Sequence, residues 1–377
     1  MNKVMQVLKP YFRVEEVLSE IKECLDKGWT GIGFKTEQFE FEWKKYSGFQ
    51  HAHFLNSATS GLHLAFRIFK AQHNWNDDDE VITTSLTFVS TNHAILYENL
   101  VPVFADVDDS LCLDPTSVER MISSKTKAVI YVGVGGNAQN YKEIRELCIK
   151  HNLTFILDAA HMAGTTWMDN KLHVGLDADC AVFSYQAVKN CPSSDSGMVC
   201  FSSLELDKQA RRLSWLGIDK STYDRYSESS YKWRYDLPDL GFKYHGNSIS
   251  AAMCLVSLRY LDQDNNYRRK LADIYDRYLQ NNSEVEIITH SNQVVSARHL
   301  YQIAINDRDA LMESLSKESI YCGVHYIANH QYPIYENFKS DAKRAGLYSS
   351  RLISLPMHLG VTEEDAIFIA EKILSKL

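Results

Sequence analysis

Two kinds of apolar spacing alternate along the chain. Short, nearly continuous apolar runs fall at 51–55, 80–83, 101–107, 127–134, 153–157, 180–183 and 198–201, and each predicts a strand covered on both faces. Between them the apolar residues recur every three or four positions. Leu62, Ala65, Phe66 and Phe69 mark one helix, 88–97 a second, and Ile144, Leu147 and Cys148 a third. Ahead of the first strand, 11–30 (Val14, Val17, Leu18, Ile21, Leu25) and 36–46 (Phe39, Trp43, Tyr46) predict two amphipathic helices. Strand and helix therefore alternate through 50–201, which predicts an α/β fold built on a mostly parallel, doubly wound sheet. Beyond it, 202–245 is rich in charge and tyrosine, while 247–261 and a polar-faced stretch running to about 279 predict helices. The remainder, 285–377, predicts a second, smaller α/β layer of short strands with two helices. A chain of 377 residues suits two units, which we place at 1–250 and 251–377.

Composition narrows the function classes. An apolar content of 45% and a charged content of 23% are those of an ordinary globular protein. The formal charge of −8 argues against a general nucleic-acid binder, and the one tight basic run, Arg268-Arg269-Lys270, falls in a predicted helix. The eight cysteines are scattered without a Cys-x-x-Cys pair, as in a protein of a reducing compartment. No run approaches membrane-spanning length, and 1–10 has no apolar signal segment, so the expected location is the cytoplasm. His51 and His53 share a strand face, but no further ligand pattern joins them, and no metal site is expected.

The polar residues at the strand ends carry the chemistry. The stretch 184–197 holds one lysine, Lys189, between two buried strands, where desolvation would make it a reactive amine. Asn56-Ser57-Ala58-Thr59-Ser60-Gly61 opens a helix with small residues and free N–H groups, which suits a phosphate and equally suits a plain helix cap. Phe88 offers an aromatic face, Asp158 a carboxylate at a strand end, and Ser184 a hydroxyl. Pyridoxal phosphate needs such a set: an amine for its aldehyde, a carboxylate for its ring nitrogen, a helix start for its phosphate and an apolar cover for its ring. A competing pattern is Gly133-x-Gly135-x-x-Ala138 after a strand, with Asp158 20 residues on, which fits the loose fingerprint of an NAD(P)-dependent oxidoreductase.

Taken in order and spacing, these segments resemble the DegT/DnrJ/EryC1/StrS family of sugar aminotransferases. The resemblance runs through Gly28-Trp29-Thr30-Gly31-Ile32-Gly33, Asn56 to Leu62, Asp79-Glu80-Val81-Ile82 with Thr87-Phe88-Val89-Ser90-Thr91, and Asp158-Ala159-Ala160-His161. It continues through Phe183-Ser184-Tyr185 with Lys189-Asn190, Leu240-Gly241-Phe242-Lys243-Tyr244-His245, and Ser354-Leu355-Pro356-Met357-His358. It implies the aspartate-aminotransferase-like fold type I of pyridoxal-phosphate enzymes, with 1–250 as the cofactor domain. It implies that Lys189 forms the Schiff base and shuttles the proton, and that Asp158 pairs with the ring nitrogen. His161 would contact the ring, Phe88 would stack on it, and Ala58, Thr59, Ser60 and Ser184 would hold the phosphate. Gly31, Tyr185, His245, His325 and Tyr326 would meet the substrate.

The implied reaction is a ping-pong transamination from L-glutamate to a nucleotide-linked keto-sugar. The expected acceptor is a dTDP-4-keto-6-deoxyhexose and the product an amino-sugar nucleotide for a glycan such as the O-antigen of lipopolysaccharide. A 3-keto-sugar nucleotide is the alternative within the family, and a ligand-sensing protein that keeps the cofactor without turnover is another. Because 240–252 resembles a segment that reaches the neighbouring site, a homodimer with shared active sites is implied. Two departures stand out. The common Gly-Glu-Gly-Gly is Ser194-Asp195-Ser196-Gly197, and Lys243 and His245 replace an Asn and an Arg. Lys243 would reach either the cofactor phosphate across the interface or the phosphates of the sugar nucleotide.

Overall fold

The computed structural model describes residues 3–219 and 235–377, which leaves 220–234 of the tyrosine-rich stretch outside the described residues. Its strands β1 (His53–Leu55), β2 (Glu80–Thr84), β3 (Val101–Ala105), β4 (Thr126–Val132), β5 (Thr154–Asp158), β6 (Cys180–Ser184) and β7 (Gly197–Phe201) form one sheet, in the order β1-β7-β6-β5-β4-β2-β3. The strands β2 to β6 pair in parallel, and β7 runs antiparallel to both β1 and β6.

The continuous apolar runs have a simple cause. Successive side chains of a strand point to opposite faces, and here both faces are covered. Val129 and Tyr131 of β4, Phe155 and Leu157 of β5, and Ala181 and Phe183 of β6 enter one core with Phe39 and Trp43. Ala128 and Ile130, Ile156, and Cys180 and Val182 enter the other, with Leu62, Phe66 and Phe69. The first core is closed by α2 (Phe34–Ser47) and α6 (Tyr141–His151), and the second by α3 (Ala58–Gln72), α4 (Val89–Tyr97) and α7 (Leu204–Ser214), while α1 (Val14–Asp26) adds no residue to either. The short α5 (Pro115–Met121) begins with an Asp114 cap whose side chain accepts the Thr116 N–H.

Two expectations change in the second half. The helix α8 (Ser248–Arg259) packs on α1 and α2, and its Ala251, Cys254 and Leu255 join the core of the large sheet. The switch between cores therefore falls where α8 meets α9 (Leu261–Leu279), ten residues beyond the expected division. The smaller unit is an antiparallel sheet of β8 (Glu286–Ile287), β9 (Tyr301–Ala304) and β10 (Leu352–Leu355). It carries three helices after β9 rather than two: α10 (Arg308–Ser316), α11 (Lys343–Arg351) and α12 (Glu363–Leu374). The unexpected α11 has a short apolar set, Ala345, Leu347 and Tyr348, interrupted by Gly346, so its period is weak. The smaller core gathers Leu271, Tyr275, Ile303, Ile353 and Ile369.

Candidate active site

At the carboxyl edge of the parallel strands, where open α/β sheets bind ligands, lies a cavity of about 470 Å³. Strand geometry decides what faces it. Asp158 ends β5 and Ser184 ends β6, each in register with the residues that point toward α3 and α4. Lys189, Phe88, His161, His325 and Tyr326 complete the wall around them. With Ala58 and Thr59, the structure thus brings together nine of the residues singled out in the sequence from five separate segments.

Lys189 sits on a braced loop. Its two legs are tied by Tyr185 N–H to Ser196 O at 2.9 Å, Ala187 N–H to Ser194 O at 2.9 Å and Ser193 N–H to Tyr185 O at 2.8 Å. Burial lowers the Lys189 pKa to about 8, against the pull of the Asp158 carboxylate, which raises it. A neutral amine is the reactive form, so the rate at which cofactor-free protein takes up pyridoxal phosphate should climb as pH rises through about 8 and level off above it. Stopped-flow absorbance across pH reads that midpoint, and a midpoint near that of a free lysine would contradict it.

Asp158 is buried, with Oδ2 accepting from Thr91 Oγ1 at 2.8 Å and Oδ1 from Ala160 N–H at 3.1 Å. Both partners are neutral, and burial pushes its pKa up. A protonated ring nitrogen is the cationic partner that such a carboxylate lacks. Phe88, at the start of α4, leaves 58% of its surface exposed, next to the Tyr326 ring at 6.1 Å. An exposed aromatic on a cavity wall is available to cover a planar ring. His325 Nδ1 bonds Ser354 Oγ at 2.9 Å, and burial lowers its pKa to about 4.

The phosphate end is the start of α3. Ser57 caps it, accepting Ser60 N–H at 3.1 Å, and the amides of Ala58 and Thr59 have no acceptor within the helix. Gly197 makes room for this turn, since a Cβ there would lie 2.5 Å from Ala58 N. Gly197→Ala should therefore cost about 1–3 kcal/mol of stability and weaken cofactor binding. Thermal unfolding and a cofactor titration check both effects, and an unchanged melting temperature would contradict the first.

Several expected site residues lie elsewhere. Tyr185 is fully buried against Phe39 at 5.2 Å and Trp43 at 5.3 Å, because it follows Ser184 and so takes the opposite face of the sheet. The Ser60 hydroxyl donates to Asn56 Oδ1 at 2.8 Å inside the cap, and Ser57 takes its expected place on the wall. Lys243 lies over the Trp215 ring at 3.4 Å, and His245 packs on the same ring at 4.5 Å. Gly31 holds α8 through Ser248 N–H at 2.8 Å. None of these three lines this chain's own cavity. Three residues had no role in the sequence reading: Thr91, which holds Asp158, and His299 and Asn190, which bond each other at 2.8 Å behind Lys189. Thr91 had a legible signal, since it sits one helical turn from Thr87 in the segment quoted for Phe88. His299 had none.

The glycine-rich turn is not a nucleotide loop. A Cβ at Gly133 would lie 2.0 Å from Met162 Sδ, so the protein itself fills that space. The next α-helix starts only at Tyr141, so no helix start opens directly off the glycines. Asp158 meanwhile faces Lys189 rather than a ribose site. The oxidoreductase reading falls on these points. The amine, the carboxylate without a cationic hydrogen-bond partner, the open helix start and the exposed aromatic together fit pyridoxal phosphate.

The comparisons agree. The family model described as the DegT/DnrJ/EryC1/StrS aminotransferase family matches residues 13–374. An uncharacterized protein of Methanocaldococcus jannaschii is 32% identical over 370 residues, covering 95% of this chain and 94% of its own. The spore coat polysaccharide biosynthesis protein SpsC of Bacillus subtilis is 32% identical over 371 residues, with the same coverage. Among solved structures, Helicobacter pylori PseC, an aminotransferase involved in the biosynthesis of pseudoaminic acid, superposes with a TM-score of 0.91 at 27% identity over 99% of each chain. The PMP form of a sugar aminotransferase of Streptococcus pneumoniae, Spr1654, described as putative, superposes with a TM-score of 0.90 at 25% identity over 98% of each chain.

Proposed function

Because the chain belongs to the DegT/DnrJ/EryC1/StrS aminotransferase family, we propose that it moves an amino group from L-glutamate to a dTDP-4-keto-6-deoxyhexose. The enzyme is a pyridoxal-phosphate-dependent sugar aminotransferase of fold type I. The finer reading gives an amino-sugar nucleotide for glycan assembly such as an O-antigen. It is supported by a relative in polysaccharide biosynthesis and a structural neighbour in pseudoaminic acid biosynthesis. The observation that carries the chemistry is the convergence of Lys189 and Asp158 on one cavity at the strand ends.

When bound, the cofactor supplies an electron sink for the pair left at the substrate carbon. Asp158 binds the ring nitrogen and keeps it protonated, and Thr91 and the Ala160 N–H fix the carboxylate oxygens. The Ala58 and Thr59 amides and the Ser184 hydroxyl bind the phosphate at the positive end of α3. Phe88 and His161, both on the cavity wall, would contact the ring. Lys189 Nζ holds the cofactor at rest. Its free amine would be the group that takes the proton from the donor Cα and delivers it across the site.

A cavity of about 470 Å³ has room for the cofactor and a sugar ring and leaves the nucleotide at its mouth. We place Gly31, Lys243 and His245 at the mouth of the neighbouring subunit's cavity in a homodimer, where Lys243 meets a phosphate as a point charge. No described helix is long and apolar enough to cross a membrane, and we place the reaction in the cytoplasm with its nucleotide substrate. The test is incubation with L-glutamate and a dTDP-4-keto-6-deoxyhexose, with the product read by mass and NMR. Amine at C4 is the expected result. Amination of a 3-keto-sugar nucleotide alone would replace the 4-keto reading, and no amination of either would overturn the sugar assignment.

A further inference from the structure

The glycine-rich turn touches the active site in a different way. Gly135 takes a left-handed conformation at φ +63°, and its peptide groups meet two histidines. Its N–H donates to His161 Nδ1 at 3.1 Å, and its carbonyl accepts the His299 N–H at 2.9 Å. An amide nitrogen only donates, so His161 Nδ1 carries no proton. Burial keeps this imidazole neutral, its pKa pushed well below the ordinary value, and its single ring proton is therefore on Nε2. That proton points at Tyr326 Oη, 3.1 Å away. Tyr326 must accept there, and its own hydroxyl proton is left to point elsewhere. Burial and the Asp158 carboxylate raise the Tyr326 pKa, so the proton stays on.

His299 is held the other way round. The Asn190 amide donates to Asn265 Oδ1 and Ala297 O, each at 2.7 Å, so its Oδ1 accepts from His299 Nδ1–H at 2.8 Å. His299 Nε2 is left as a lone pair. The two rings are 4.4 Å apart, in opposite tautomers set by one glycine turn and one asparagine.

Tyr326 lines the cavity, and among the described residues its hydroxyl has no second hydrogen-bond partner. No arginine lines that cavity, and Lys189 is its only lysine among the described residues. Among the described residues, a carboxylate entering it meets no guanidinium. A carboxylate oxygen accepts and never donates, so it needs a partner locked as donor. A sugar hydroxyl would bond to Tyr326 in either sense. We propose that Tyr326 donates to the α-carboxylate of the amino-acid substrate and that the Gly135–His161 clamp fixes the direction of that donation. The proposal rests on the aminotransferase reading of the site and assigns Gly135 and His161 as positioning residues.

The experiment uses the holoenzyme in single turnover, reading each half-reaction separately by cofactor absorbance. Tyr326→Phe should raise the half-saturating L-glutamate concentration about ten- to a hundredfold, the scale of a hydrogen bond to a charged group, and move that of the keto-sugar less than about twofold. An unchanged glutamate response, or an equal rise for both substrates, overturns the assignment. His161→Gln should retain glutamate binding, because its Oε1 can accept from Gly135 and its Nε2 can donate to Tyr326. His161→Ala combined with Tyr326→Phe should be no worse than the worse single variant, and additive losses overturn the clamp. Nitrogen NMR of labelled histidine gives a readout independent of turnover. His161 should show its proton on Nε2 and His299 on Nδ1, and the same tautomer on both contradicts the proposal. A parent enzyme that accepts no amino-acid donor would instead indict the aminotransferase reading itself.

Discussion

Replacing Lys189 with Ala is expected to cut turnover by at least about 10⁴-fold while leaving the protein folded. Two losses combine in one atom. The cofactor loses its covalent anchor, and the substrate carbon loses the base that moves its proton. The loop around Lys189 is held by backbone pairs between its legs and by Ser193 Oγ donating to Tyr185 O at 2.8 Å, none of which uses the lysine side chain. Removing a partly buried amine also relieves its desolvation, the cause of its lowered pKa. The variant should therefore unfold at or above the parent temperature. A small primary amine added to the solution should recover part of the lost rate by supplying the missing base. Activity at the parent rate would move the chemistry to another residue.

Asp158→Asn is the second large effect, on the order of 10²–10³-fold in turnover, the scale of losing one electrostatic partner in a water-poor site. Asparagine keeps the volume and can still accept the Ala160 N–H, so geometry changes little. What disappears is the negative charge that keeps the ring nitrogen protonated. Stability should move the other way in cofactor-free protein. The folded-state pKa of Asp158 is raised, so the folded chain holds this proton more tightly than the unfolded one. The associated stability is present at pH below the unfolded value and is lost as pH rises through the folded pKa. At a pH above the folded-state pKa the ionised group is thus a burden that asparagine removes. Thermal unfolding of the two cofactor-free proteins should show the variant as the more stable one, while turnover shows the reverse. A variant that loses both would mean that Asp158 serves the fold first.

The legible parts of this molecule were those set by local pattern. Apolar runs marked β2 to β7 because strands covered on both faces leave no room for polar residues. Asp158 and Ser184 were legible as strand ends, which in a parallel sheet face the ligand crevice. Residue-level direction was harder. Ser184 and Tyr185 are adjacent, and one faces the cavity while the other joins the core beside Trp43. Ser57 and Ser60 share a cap, and only Ser57 reaches the cavity wall. His299 and Asn190 meet across 109 positions of sequence, a contact no local spacing announces. The glycines at 133–136 looked like a phosphate loop because close backbone approach uses the same residue in either case. Here the approaching groups are Met162 and the two histidines.

The most direct test of the central claim is the visible absorbance of the purified protein before and after L-glutamate is added. A coloured protein whose band gives way to a shorter-wavelength one is the predicted result, and the same experiment on Lys189→Ala should lack that response. A protein that stays colourless when supplied with pyridoxal phosphate, or a bound cofactor indifferent to every amino acid offered, would contradict the account.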